Sequence, residues 1–217
     1  MAAGTRPAIR IEVRDLGLIP YSEAVAAQER AAADRRAGSG PDTLFLLEHP
    51  HVITLGRNAR AAHVLAPPEE LARRAVDVHE SGRGGDVTYH GPGQLIGYPV
   101  LALPEGRRDV HAYVRDLEEA QIRTLADFGV EARRDPGFTG VWVGRNKIGA
   151  IGVRISRWTT MHGFALNVAT DLSYFRLITP CGLAERGVTS MERLLGTAPS
   201  MADVKAVMAR RFAEVFG

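Results

Sequence analysis

Cys181 is the only cysteine in 217 residues and sits in Ile178-Thr179-Pro180-Cys181-Gly182. Of the 27 basic residues only Lys147 and Lys205 are lysines; the others are arginines. Arginine keeps its proton at any working pH, whereas lysine can release it when desolvated. A chain that otherwise avoids lysine places Lys147 in Gly144-Arg145-Asn146-Lys147-Ile148-Gly149. A rare thiol and a rare titratable amine could together carry acyl transfer, the thiol as nucleophile and the amine as proton carrier. The competing reading makes Cys181 a small buried hydrophobe and Lys147 a solvated turn residue.

Three further segments bear on that choice. Ser81 to Gln94 reads Ser-Gly-Arg-Gly-Gly-Asp-Val-Thr-Tyr-His-Gly-Pro-Gly-Gln, with six residues Gly or Pro. Glycines let backbone approach a ligand and expose N–H donors; a pair of surface turns is the plainer account. A phosphate loop is disfavoured: no Gly-Lys-Ser/Thr ending follows, and Val87 stands where a third glycine of a dinucleotide fingerprint belongs. In Lys147-Ile148-Gly149-Ala150-Ile151-Gly152 and in His162-Gly163-Phe164-Ala165-Leu166-Asn167, small residues alternate with large ones. On a strand this leaves one face bare, a slot for a flat or linear ligand, or else a closely packed strand with a bulge. His162 and Asn167 are unusual in an apolar run and could simply bond loop backbone. His90 could donate a hydrogen bond or touch a thioester.

The seven histidines have no zinc-type spacing, so no metal is expected. No Gly-x-Ser-x-Gly elbow supports a serine hydrolase. The net charge of +2 is spread over scattered arginine pairs, a poor nucleic-acid footprint but a possible patch for an acidic protein partner. No run approaches 18 apolar residues, so no membrane span is expected, and the N-terminal residues lack the apolar core of a signal peptide. A lone cysteine fits a reducing compartment.

The elements that must hold these residues are legible in outline. Strands are expected near residues 8–13, 43–47, 52–55, 76–79, 95–103, 141–143, 148–155 and 163–168. Helices are expected over 21–36, from Pro67-Pro68, from an Asp109 cap to Gly129, and from a Ser200 cap to the C-terminus. The apolar stripe of the third helix is read as Val110, Val114, Leu117, Leu125 and Phe128, and that of the last as Met201, Val204, Met208, Phe212 and Val215. Strands and helices mix without strict alternation, which predicts an α/β (α+β) domain with a mixed sheet, 1–217 forming one unit.

The motifs Glu48-His49-Pro50, Thr54-Leu55-Gly56-Arg57, Arg83-Gly84-Gly85, Thr88-Tyr89-His90-Gly91-Pro92-Gly93-Gln94, Lys147 to Gly152, His162 to Asn167 and Pro180-Cys181-Gly182 together resemble the lipoyl(octanoyl) transferases of lipoate biosynthesis. The resemblance covers about Leu47 to Met191. It implies a fold like that of biotin and lipoate protein ligases, a cytoplasmic location and no cofactor, because the donor is already a thioester. It implies transfer of octanoyl from octanoyl-acyl carrier protein to a lysine of lipoyl domains, those of 2-oxoacid dehydrogenases and the glycine cleavage carrier protein. Cys181 would form the thioester and Lys147 would act as acid, then base. Arg83, Gly84, Gly85, Asp86, Val87, Thr88, Tyr89, His90, Ala150, Ile151, Gly152, Gly163, Phe164 and Ala165 would line the acyl slot. Neither nucleic acid nor membrane would be a partner. The alternative on the same fold is an ATP-dependent lipoate–protein ligase.

Overall fold

In chain order the elements are β1 (Ile11–Leu18), α1 (Tyr21–Arg36), β2 (Asp42–Glu48), β3 (Val52–Leu55), α2 (Pro68–Arg73), β4 (Asp77–Glu80), β5 (Val87–His90), β6 (Gln94–Val100), α3 (Val110–Asp127), β7 (Arg133–Asp135), β8 (Phe138–Val143), β9 (Asn146–Ser156), β10 (Thr159–Asn167), β11 (Gly187–Val188), α4 (Met191–Leu195) and α5 (Met201–Phe216). The structure is a computed structural model and describes residues 10–179 and 186–217.

Two sheets divide the strands. The large one runs β1-β2-β6-β10-β9-β8-β7, with β11 paired to β9; the small one runs β4-β3-β5. β1 and β2 are parallel, as are β11 and β9, while the other pairs of the large sheet are antiparallel. The expected mixed-sheet α/β architecture is therefore present.

Alternation along β2 shows why the large sheet has a layer on each face. Leu44 and Leu46 join the core that holds α3 and α5, whereas Phe45 and Leu47 join a second core under α1. Each fully buried leucine or phenylalanine contributes about 1.5–3 kcal/mol, so both faces are driven to acquire a cover. β6, buried at every position, lies between the layers. A third core, including Ile53, Val87 and Tyr89, sits on the small sheet.

The helix caps fall where the residues direct. Asp109 accepts from the Ala112 N–H at 3.0 Å and Ser200 from the Asp203 N–H at 3.1 Å, each satisfying an amide that the helix leaves open. The stripe of α3 differs from its expected register. Val110 is exposed, and the buried face is Tyr113, Leu117, Glu118, Ala120, Gln121, Thr124 and Leu125. A hydrophobic pattern misses this face because three of its members are polar and bonded within the interior. The small sheet was missed as a unit, since β5 lies inside the glycine-rich segment that read as turns.

Candidate active site

The two sheets meet around a cavity of about 360 Å³. Of the expected slot residues, Arg83, Gly85, Asp86, Val87, Thr88, His90, Ala150, Ile151, Gly152, Gly163, Phe164 and Ala165 line it, and Lys147 does too. Gly84 and Tyr89 are not on its wall. The Gly84 N–H is tied to the Val153 carbonyl at 2.9 Å. Tyr89 is turned to the opposite face of β5, stacked on Tyr174 at 5.0 Å and hydrogen-bonded to His51 at 2.8 Å. Cys181 lies outside the described residues.

The β9–β10 hairpin supplies the bare floor. Ala150 pairs with Ala165 and Gly152 with Gly163, so four small residues share one face along two adjacent strands. Arg83 crosses one end of it. A Cβ at Gly152 would stand 3.0 Å from Arg83 Cδ and 3.1 Å from the Gly84 carbonyl oxygen, so any side chain there would have to push Arg83 or the glycine-rich loop aside.

Lys147 projects from the start of β9, opposite Trp142 of β8. Its Nζ lies 4.8 Å from the Trp142 ring centre, and among the described residues no carboxylate comes within 4.0 Å of it. Lys205, the other lysine, has an ordinary ion pair with Asp15 at 2.7 Å. Burial pulls the Lys147 pKa down; the Arg186 guanidinium adds to that and Glu118 opposes it. Arg186 is held against Phe138 at 4.1 Å and Trp142 at 4.9 Å, and bonded to Asp135 at 2.5 Å, so its charge stays beside the amine. The lysine stem needs Gly140: with φ at 123° and a would-be Cβ 3.2 Å from Lys147 Cε, this position admits only glycine without strain.

At the other end, around Arg83, the polar groups include imidazoles and one carboxylate, Asp86, which pairs with His63. Arg83 is buried, donating to the Thr54 carbonyl at 2.7 Å, the Thr54 hydroxyl at 2.9 Å and the Gly84 carbonyl at 3.1 Å. Burial disfavours its charged form and pulls its pKa below the ordinary arginine range. His49 Nδ1 bonds the Ile19 carbonyl at 2.8 Å, so Nδ1 carries the proton and Nε2 accepts from the Tyr98 hydroxyl at 2.8 Å. Burial lowers the His49 pKa to about 4 and the His162 pKa to about 4, the latter helped by Arg83 and Arg154. His162 adopts φ of 57° in mid-strand, with its N–H donating to Gln28 at 2.7 Å. A non-glycine residue there stores about 1 kcal/mol or more of strain. His90 is held by Gln94 at 2.7 Å; burial, and then the nearby His49, bring its pKa to about 3.

The backbone on both sides of residues 180–185 is anchored to site elements. Before it, the Thr179 N–H donates to the His63 carbonyl at 2.8 Å, and His63 Nδ1 pairs with cavity-lining Asp86 at 2.6 Å. After it, Val188 pairs with Lys147 and the Thr189 N–H donates to the Lys147 carbonyl at 2.9 Å.

Several wall residues escaped the sequence reading, among them Tyr21, Tyr98, Phe138, Thr139, Phe175 and Val188. They arrive from distant elements and read locally as core or turn residues. His162 and Asn167 also line the wall, and their polarity within an apolar run was the usable signal.

An octanoyltransferase of Solibacter usitatus is 56% identical over 94% of this chain and 92% of its own length. A bipartite lipoate protein ligase of Thermoplasma acidophilum shares the fold at a TM-score of 0.74 and 19% identity, covering 96% of this chain and 83% of that one. The biotin protein ligase of Aquifex aeolicus superposes more loosely, with a TM-score of 0.58 and 12% identity over 94% of this chain and 69% of that one. The lipoyl protein ligase A/B catalytic domain family matches residues 20–213, and the chain belongs to that family.

Proposed function

We propose that residues 1–217 act as a single catalytic domain, an octanoyltransferase that moves an octanoyl group from a carrier-protein thioester to a lysine amine of a lipoyl domain. The observation that carries this is Lys147. It is a desolvated amine with no carboxylate within 4.0 Å among the described residues, at one end of a cavity floored by Ala150, Gly152, Gly163 and Ala165.

The proposed chemistry has two halves. The Cys181 thiolate attacks the donor carbonyl carbon, a C–S bond to Cys181 forms, and the carrier thiolate leaves and takes a proton from Lys147. The acceptor amine then attacks the Cys181 thioester, a C–N bond forms, the Cys181 thiolate leaves, and neutral Lys147 removes the amine proton. A free cysteine is only a few per cent thiolate at neutral pH, so a cationic Lys147 beside it raises the reactive fraction. The same amine must later be neutral, which its burial favours. Backbone N–H groups of the glycine-rich loop are candidates for holding the oxyanion. No step calls for ATP, metal or membrane. The proposed donor is octanoyl-acyl carrier protein, the proposed acceptors are lipoyl domains, and the proposed compartment is the cytoplasm.

Intact mass spectrometry after mixing with octanoyl-acyl carrier protein tests this. One octanoyl group on the wild type and none on Cys181→Ser is the expected result. Transfer to a lipoyl domain only when ATP and free octanoate are supplied would replace this reading with the ligase.

A further inference from the structure

His90, Gln94 and Asn167 line the cavity wall and form one hydrogen-bonded chain that ends on Thr189 behind it. His90 Nδ1 meets Gln94 Oε1 at 2.7 Å, Gln94 Nε2 meets Asn167 Oδ1 at 2.9 Å, and Asn167 Nδ2 meets the Thr189 carbonyl oxygen at 2.9 Å. The last partner fixes the direction of the whole chain. A backbone carbonyl can only accept, so the Asn167 amide must turn its NH₂ to Thr189 and its oxygen to Gln94. The Gln94 NH₂ must then face Asn167, an orientation supported by a second acceptor, the Tyr89 carbonyl at 3.4 Å. That leaves Gln94 Oε1 for His90, whose Nδ1 must donate. Burial within this bonded chain keeps the ring neutral, so the other ring nitrogen, Nε2, carries a lone pair and no proton. Residues 90 and 94 flank the Gly91-Pro92-Gly93 turn, and Asn167 pairs directly with Gln94 across β6 and β10, so the chain is built into the sheet.

An acceptor on the wall has to be matched by a donor on the ligand. Of the groups that meet in the proposed reaction, the thioester carbonyl and sulfur only accept and the alkyl chain does neither. Of the reacting groups that the two substrates bring, the incoming amine alone carries N–H. We propose that His90 Nε2 accepts an N–H of the acceptor lysine amine and turns its lone pair toward the acyl carbon, with Gln94 and Asn167 as positioning residues. This rests on the octanoyl-transfer reading and assigns His90 to its second half only. The amine proton is still lost to Lys147; the neutral imidazole orients and does not titrate.

Two measurements test it. In the two-bond ¹H–¹⁵N spectrum of histidine-labelled protein, the signal absent from His90→Gln must show protonated Nδ1 and bare Nε2 at pH 7. An Nε2–H tautomer or a cation overturns the proposal, whatever the reaction proves to be. In single-turnover kinetics, acyl-enzyme formation from octanoyl-acyl carrier protein is followed separately from its discharge to a lipoyl domain. His90→Phe should slow discharge by about 30-fold more than acylation, the scale of one hydrogen bond to a reacting group, and His90→Gln, whose amide oxygen can accept, should recover most of that difference. Equal slowing of both halves, or no recovery by glutamine, overturns it. Should His90→Phe fail to fold, Gln94→Leu keeps the imidazole and should slow discharge selectively, by about 5-fold; equal slowing again overturns the role. Absence of an octanoyl adduct on the wild type overturns the parent reading instead, and the spectrum still decides the tautomer.

Discussion

Lys147, His90 and His162 line one cavity, with His49 packed 6.0 Å from His90, yet desolvation does opposite things for the lysine and the histidines. Each is pushed in the same direction, away from its charged form. The lysine starts from 10.5 and moves toward neutral pH, where a group can give and take a proton. The histidines start from 6.5 and move to between about 3 and 4, where they keep one form at every working pH. On the proposed reading, one physical effect readies the amine to carry a proton and makes fixed dipoles of the imidazoles. The second lysine, at 205, is by contrast in an ion pair with Asp15.

The most severe way to break the contrast is Lys147→Arg, which keeps the charge but cannot release the proton. Octanoyl transfer should fall by about 10³-fold, within the range for loss of a general acid–base group, with the fold retained by circular dichroism. Near-normal turnover would remove the proton-carrier role altogether.

Acid titration sharpens the other side. Below about pH 6.5 the unfolded chain protonates these three histidines while the folded chain does not, so the unfolded state binds more protons and stability falls as pH falls. Each should cost about 3 kcal/mol by pH 4, a summed loss comparable to the whole stability of a typical domain. Denaturant midpoints from pH 7 to pH 4 should therefore drop steeply, and His49→Gln should flatten the slope. Over pH 5–8 the rate of octanoyl transfer should show no limb from these histidines.

Smaller effects follow. A hexanoyl donor should transfer about 15-fold more slowly than octanoyl, from two methylenes at about 0.8 kcal/mol each, read as kcat/KM. Arg186→Met removes a positive charge beside Lys147 and should move the rate profile to higher pH. At pH 7 the fall should be only a few-fold, since Arg186 adds less than burial does.

Much of this was readable in the sequence for a definite reason. The slot floor needs small residues at alternate positions on neighbouring strands, and that pattern is local, so Ala150, Gly152, Gly163 and Ala165 stood out. Lys147 stood out through the scarcity of lysine. Caps at Asp109 and Ser200 are equally local. The face of α3 was not legible, because Glu118, Gln121 and Thr124 are buried through partners far along the chain: Glu118 accepts from the Gly140 N–H at 2.9 Å and pairs with Arg134 at 3.2 Å. Tyr21 and Tyr98 were missed because tertiary contact alone brings them to the cavity. Tyr89 was placed in the slot although strand alternation turns it to the far side of the small sheet.

β9 carries the amine at residue 147 and the bare floor at 150 and 152; a register shift against β8, between the pairs Val141–Gly149 and Trp142–Lys147, lets the odd-numbered lysine and the even-numbered floor open on one cavity, with β8 and β11 pinning the start of the strand and β10 the rest. Adding or deleting one residue between them would turn every following side chain to the opposite face. The distance from reactive end to floor is thus not a quantity that descent with small insertions can adjust. Relatives that came to favour longer or shorter acyl groups would have to do so by exchanging side chains on the facing wall, and the hairpin itself should resist change in length.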